Sequence, residues 1–194
     1  PRGNGCLPVA LEPQYRLADL FFHRVGMGNH AAARFRVGVW ADGSLRWIGH
    51  PQWRKHLGYL RDTLVTDVVC ESEEAGLRLN CYDAVDADAN VYIRKIVVRN
   101  TRNEQRDIKL FLHHDLSLYG TAIGDTAMFD PQTSSIIHYK ARRYFLINAS
   151  CEGEAGIREY ACGRSGIGGT EGTWRDAEDG QLSMTPIAQG SVDS

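Results

Sequence analysis

Lysine is scarce in this chain: only 4 of its 22 basic residues, the other 18 being Arg. Charge of one sign is scarce too, with a net of −2 over 194 residues. No apolar stretch approaches the ~20 residues that cross a bilayer as a helix, so no membrane partner is expected. The five cysteines (Cys6, Cys70, Cys81, Cys151 and Cys162) contain no C-x-x-C pair, which argues against a structural zinc site. Gly-Lys-Ser/Thr and Gly-x-Ser-x-Gly are both absent, so neither a phosphate-binding P-loop nor a nucleophile elbow is present. Helical periodicity is almost missing. The opening Pro1-Arg2-Gly3-Asn4-Gly5 has neither an initiating Met nor the apolar run of a signal peptide. A processed or trimmed product is therefore expected, in a reducing cytoplasm where the thiols stay free.

What is present fits an ordinary globular chain. Hydrophobic residues at 43% and charged residues at 24% suffice for one sizeable core or two small ones. They exclude a disordered, collagen-like or coiled-coil chain. Charge is uneven along the sequence. Residues 1–61 hold nine basic and three acidic groups, and the remainder thirteen and twenty-one. The basic residues are scattered, with no run longer than two, so salt bridges between the two parts are favoured over a nucleic-acid surface.

The dominant period is two. Phe35, Val37 and Val39 alternate with Arg36 and Gly38, Ala41-Asp42-Gly43 makes a turn, and Leu45 and Trp47 alternate with Arg46 and Ile48. A second pair joins 64–71 to Leu77, Leu79 and Cys81 through 72–76. That hairpin would bring Cys70 and Cys81 together, as two thiols rather than a disulfide. A third pair joins 91–99 to Ile108, Leu110 and Leu112 through the turn chemistry of 100–104. Later strands are expected at 136–139 and 143–148. Strands every 8–12 residues predict an all-β fold, an antiparallel β-sandwich or barrel with at most one or two short helical turns. One such turn opens on the capping box of Thr173-Trp174-Arg175-Asp176 and ends at Gly180. Another is placed at 53–60. The β-sandwich domain is taken as residues 1–180, and 181–194 as an extended tail leading to a linker.

Candidate chemistry is thin. His113-His114-Asp115 is suggestive, but neighbours on a strand point to opposite faces and do not share one ion. His114 falls on the face of Leu110 and Leu112 and reads as structural. His23 and His30 lack a third ligand, so no metal is expected. Glycoside hydrolysis needs two facing carboxylates. Asp83, Asp86, Asp88, Asp125, Asp130, Glu171, Asp176, Glu178 and Asp179 are available, with nothing to pair any two of them, and they read as solvated turn residues or caps. Gly3-x-Gly5 and Gly166-x-Gly168 both lack the third glycine of a dinucleotide loop, and no cofactor is expected. The triplet Asn148-Ala149-Ser150 matches a glycosylation sequon by chance. Of the tryptophans, Trp40 reads as core. Trp53, among Gln52, Arg54 and Lys55, reads as exposed, and Trp174 lies in a polar loop. Trp53 and Trp174 are thus the candidates for stacking on a sugar.

Several strings together resemble glycoside hydrolase family 15, the bacterial and archaeal glucoamylase-like proteins. They are Gly3-Asn4-Gly5, Tyr15-Arg16-Leu17-Ala18-Asp19-Leu20-Phe21-Phe22, Arg24-Val25-Gly26 and Asn29-His30. Further along come Phe35-Arg36-Val37-Gly38-Val39-Trp40, His113-His114-Asp115, Tyr119-Gly120, Gly124-Asp125-Thr126-Ala127 and Asp130-Pro131. Then follow His138-Tyr139-Lys140, Arg143-Tyr144-Phe145, the run Glu171-Gly172-Thr173-Trp174-Arg175-Asp176-Ala177-Glu178-Asp179-Gly180 and the closing Ile187-Ala188-Gln189-Gly190-Ser191-Val192-Asp193-Ser194. Arg2, Cys6 and His23 depart from the pattern. The resemblance implies an N-terminal β-sandwich of the supersandwich, galactose mutarotase-like type; the free thiols and the missing leader point to the cytoplasm, and the scattered basic residues to no nucleic-acid partner. In that family the sandwich precedes an (α/α)₆ catalytic domain in the same polypeptide. Two glutamates of that barrel hydrolyse terminal α-glucosidic bonds with inversion, and neither maps onto a position here. The expected role is therefore a non-catalytic accessory domain. Its partners are the barrel and an α-glucan or glucoside: starch, maltooligosaccharide, dextran or trehalose. The strings 113–130 and 171–180 are candidates for the domain interface or substrate rim, with His114, Asp115, Asp125, Trp174, Arg175 and Asp176 as the residues involved. An exposed apolar patch is expected where the barrel would sit. Two other classes compete: a self-sufficient mutarotase-type epimerase with His114 as its acid, and a carbohydrate-binding module with Trp53 or Trp174 on a flat platform.

Overall fold

The computed structural model describes residues 3–29, 35–165 and 173–194. His30, Glu171 and the glycines of 166–169 lie outside them. Among the described residues, seventeen strands form in chain order. The first eight are β1 (Val9–Leu11), β2 (Leu17–Leu20), β3 (Arg36–Ala41), β4 (Ser44–Trp47), β5 (Arg54–Tyr59), β6 (Thr66–Ser72), β7 (Leu77–Val85) and β8 (Tyr92–Asn100). The rest are β9 (Ile108–His113), β10 (Asp125–Asp130), β11 (Ser135–Lys140), β12 (Arg143–Ile147), β13 (Ser150–Cys151), β14 (Glu154–Ala155), β15 (Gly163–Arg164), β16 (Ile187–Gly190) and β17 (Val192–Asp193). Every described pairing of these strands is antiparallel. The only helical elements among the described residues are short 3₁₀ turns at Leu118–Gly120 and Thr173–Asp179. None of these is long and apolar enough to cross a membrane. The fold is an all-β sandwich.

Period-two patterning builds the main core. Val68 and Cys70 on β6 and Leu77, Leu79 and Cys81 on β7 point inward from the sheet β5–β6–β7–β8. They share one core with Val37, Val39 and Ala41 of the sheet β4–β3–β9. Full burial of each large aliphatic contributes about 1.5–3 kcal/mol. Cys70 and Cys81 are free thiols, hydrogen-bonded to each other within this core. The β3–β4 hairpin closes on Asp42 and Gly43, both at positive φ (54° and 73°), which matches the right-handed strand twist. Gly38 is required where it stands: a Cβ there would meet the Trp47 ring, across the strand pair, at 2.9 Å.

Several expectations change. The 91–99 and 108–112 runs are both strands but do not pair with each other. β8 joins β7 and β9 joins β3, so the connection crosses from one sheet to the other. Arg106 pins that crossing, donating to the carbonyls of Ala75 and Gly76, to Asn100 Oδ1 and to Asp42 Oδ2. Leu110 and Leu112 do share the face of Val37 and Val39. However, β9 is the edge of its sheet, and both leucines stay more than one third exposed. The buried face of β9 carries Phe111 and His113 instead, under the Thr173–Asp179 turn. The helix placed at 53–60 is the edge strand β5. Trp53 is core, 2% exposed, not a surface platform. The Lys55 ammonium beside it folds back onto the carbonyls of Ile48, His50 and Trp53, so a polar neighbour here marks a capped turn rather than open solvent.

A third sheet, β12–β11–β10–β16, carries Ala127 and Ile136 inward against Cys162 and Val192. The segment 181–194, expected as an extended tail, is extended yet built into the fold. β16 pairs with β10 and β17 with β15.

Candidate functional site

The end of β9, the middle of β11 and the last residues of the chain converge on one corner. The His114 N–H donates to the Ser194 carbonyl at 2.7 Å, and the Ser194 N–H returns the bond to His114 at 2.9 Å. His113 Nε2 lies 3.0 Å from Asp193 Oδ2, and the Thr173 N–H reaches both oxygens of that carboxylate at 3.1 and 3.2 Å. His138, on the buried parity of β11 with Ile136, places Nε2 2.8 Å from Ser194 Oγ. Burial brings the His138 pKa down to about 4, against the pull of Asp193. Burial also holds His114 well below its ordinary range, helped by His138, His113 and Arg94. Both imidazoles are neutral at pH 7. A neutral, half-buried His114 is a poor proton donor at pH 7.

Asp125 opens β10 from a buried position. Its Oδ1 accepts from the Leu118 N–H at 3.0 Å and its Oδ2 from Lys140 Nζ at 3.3 Å. Lys140 also bonds the Thr121 carbonyl and hydroxyl, tying down the loop before β10. Burial raises the Asp125 pKa, opposed by Leu118 and Lys140, and the Asp115 carboxylate adds to the rise. The structure therefore brings Asp115 and Asp125 within electrostatic reach. The same loop is held from below by Arg143, which donates to Asn29 Oδ1 at 2.6 Å and lies 4.0 Å from the Tyr119 ring.

Trp174 is half-buried, with the guanidinium groups of Arg36 and Arg175 at 4.8 and 5.1 Å from its ring. Two cations against the indole leave little of it for a sugar. Asp176 accepts the Ser183 N–H at 2.7 Å, and Gly180, at φ 85°, ends the turn against Trp40. The crevice shared by Trp174, His113 and Ser194 holds only about 20 Å³, room for one water-sized sphere and not for a pyranose. A larger open cleft of about 360 Å³ lies between Trp40, Asp42 and Asp107, but Arg102 and Arg106 already occupy Asp42.

The remaining buried carboxylate is Asp83, expected as a solvated turn residue. It sits inside β7 and is fully buried. It accepts from Tyr15 Oη at 2.8 Å, Thr66 Oγ1 at 3.0 Å, Arg94 Nε at 2.6 Å and the Tyr92 hydroxyl. Burial pushes its pKa up, but Arg94 and the hydroxyls of Tyr92 and Tyr15 outweigh that, and it stays below the usual carboxylate range. Such a saturated, ionised acceptor is structural and cannot donate a proton. Among the described residues, no group of three or more His, Cys, Asp or Glu is placed to hold a metal ion.

These arrangements bind loops to sheets; they do not present two free acids to a cleft. Known proteins give them a context. A Methanocaldococcus jannaschii protein described as an uncharacterized glycosyl hydrolase is 23% identical over 161 residues, spanning 83% of this chain and 25% of its own length. The crystal structure of a bacterial glucoamylase complexed with acarbose matches the fold with a TM-score of 0.78 at 13% identity. That match covers 99% of this chain and 28% of the glucoamylase. The chain thus spans about a quarter of the length of each of these two proteins. No protein-family model matches it.

The sequence reading missed His138, Asp193 and Ser194 as members of the corner. The parity of Ile136 and His138 was a usable sign, since a histidine on the inward face of a strand must find a buried partner. Nothing local marked Asp193 or Ser194, whose partners lie 80 and 56 residues away.

Proposed function

We propose that the chain is the non-catalytic β-sandwich domain of a glucoamylase-like glycoside hydrolase of family 15. On this reading it precedes an (α/α)₆ barrel in one cytoplasmic polypeptide, and the barrel hydrolyses terminal α-glucosidic bonds of an α-glucan or glucoside with inversion. The observation that carries the reading is the match of nearly the whole chain to about a quarter of a glucoamylase. The identity to a glycosyl hydrolase more than three times as long supports it. The buried acids support it as well, since each is already engaged by the protein's own donors. The sandwich then extends through β17, and the loop 114–124 with the Thr173–Asp179 turn forms the rim toward the barrel. His114, Asp115, Asp125, Trp174, Arg175 and Asp176 position these two segments.

The test compares the 194-residue chain with the full-length protein. Glucose release from maltooligosaccharides is expected from the full-length protein alone. Polarimetry of α-glucose should show no catalysed mutarotation by the chain. Hydrolysis or mutarotation by the chain itself would reject an accessory role.

A further inference from the structure

Cys70, Cys81 and Cys162 are buried, and the first two meet. Cys70 lies opposite Leu79 and Cys81 opposite Val68, so the pair stands diagonally across β6 and β7 on their inward face. The Cys70 thiol donates to the Cys81 sulfur. Two cations flank them. Lys55, directly opposite Cys70 on β5, acts electrostatically on Cys70, and Arg94 acts on both sulfurs. The Tyr15 hydroxyl is hydrogen-bonded to Cys81 as well as to Asp83. The bond from Cys70, against burial and with the help of Tyr15 and Arg94, holds the Cys81 pKa below its ordinary value, so Cys81 is the first of the pair to ionise. Cys162 differs: burial and the Asp193 carboxylate both raise its pKa. A buried thiol in apolar surroundings is inert, whereas cations and a hydrogen-bonding neighbour favour the nucleophilic thiolate.

We propose that Cys70 and Cys81 are a modification site, at which a peroxide installs a reversible disulfide between β6 and β7. With hydrogen peroxide, the Cys81 thiolate attacks one oxygen, the O–O bond breaks, and the departing oxygen leaves as water after taking up a proton. The product is the Cys81 sulfenic acid. The Cys70 sulfur then attacks the sulfenic sulfur and gives up its proton, and the hydroxyl departs as a second water. Two thiols lose two electrons in all, and one peroxide is reduced to two waters. A disulfide holds its sulfurs at about 2.05 Å, so the strands must shear slightly to join thiols that are diagonal neighbours. A bond strained in this way is readily reduced, and a dithiol reverses it by exchange, becoming a disulfide itself. Both sulfurs are 0% exposed, so the oxidant enters between the sheets. The edge strand β5 offers the way in, because Leu57, opposite Val68 on the inward face, is already 37% exposed. Lys55 closes that edge with its ammonium on the carbonyls of Ile48, His50 and Trp53. Hydrogen peroxide is little larger than water, so a local opening at β5 admits it. The proposal stands independently of the accessory-domain reading.

Hydrogen peroxide added to the native chain carrying Cys6→Ser and Cys151→Ser, which removes the exposed thiols, tests this. After the peroxide is quenched, remaining thiols are alkylated in denaturant and mapped by peptide mass. Cys70 and Cys81 are expected to disappear together into one cross-linked peptide lighter by two hydrogens, while Cys162 is lost roughly ten-fold more slowly. Dithiothreitol should return both thiols. Cys70→Ala removes the resolving thiol, and dimedone should then capture the sulfenic acid on Cys81, with circular dichroism checking that the variant is folded. The cross-link in the parent chain is read whether or not that variant folds. Loss of Cys70 and Cys81 no faster than Cys162 would overturn the proposal. Oxidation of either to sulfinic acid with no cross-link would do the same. So would a cross-link that forms in urea but not in the native chain, because the native strand pairing would then play no part in making it.

Discussion

The sheets β5–β6–β7–β8 and β12–β11–β10–β16 have four strands each and bury small and aliphatic side chains on their inner faces. Outside they diverge. Arg54, Glu71, Arg78 and Arg99 form one charged row across the first, with Glu71 3.1 Å from Arg54 and 3.0 Å from Arg78. The row beside it, His56, Val69, Asn80 and Val97, mixes polar and apolar residues. The equivalent rows of the second sheet carry no charge: one is Leu146, Ile137, Met128 and Ile187, the other Tyr144, Tyr139, Thr126 and Gln189. Inner faces report only that a strand belongs to a core. Outer faces are free to differ, and here one is charged and the other largely uncharged.

The polar anchors of the two cores also differ, and that difference gives the largest predicted effect. Asp83 in the first core is ionised and paired with Arg94. Asp83→Ala strands a buried guanidinium and should cost about 3–5 kcal/mol in urea unfolding. The second sheet is anchored through neutral histidines. His138 has its folded pKa below its unfolded value, so its contribution is complete above about pH 6.5 and is lost as pH falls toward 4. Acidification over that window should cost about 3 kcal/mol from this group, and His114 acts in the same direction. Asp125 has the opposite sign: with its pKa raised, its contribution is greatest in acid and is lost as pH rises. His138→Gln should flatten the pH dependence between 6.5 and 4, measured by denaturant midpoints at fixed salt. On the outer faces, Leu146→Lys and Val97→Lys should each change the stability of the chain by less than about 0.5 kcal/mol. The smallest effect is expected for Glu71→Gln. Its exposed pairs should contribute only about 0.2 kcal/mol, a difference that should shrink in 0.5 M salt.

Much of the fold was legible because the alternation of Val37 and Val39, or of Leu77, Leu79 and Cys81, encodes a half-buried strand directly. Pairing partners were not, because β8 and β9 would read the same whether they joined each other or crossed between sheets. What decides is Arg106, whose contacts are remote in sequence. Trp53 was misplaced because Lys55 looked like a solvent marker, while in the fold its ammonium caps carbonyls. Of the candidate residues, Asp115 and Asp125 do come together, and Trp174 shares a crevice with Ser194, the partner of His114. The partners that make the corner, Asp193 and Ser194, come from a segment whose composition resembled a tail. Short β-strands such as β17 leave too few residues for a period to show.

The cysteines give this architecture a built-in gauge of its own disassembly. Cys6 and Cys151 lie open to solvent and should be alkylated at once. Cys70 and Cys81 are sealed under the first sheet, and Cys162, its thiol pushed up to about 11 by burial, under the second. Mass-resolved labelling against time would therefore record the opening of each half separately, without any engineered probe.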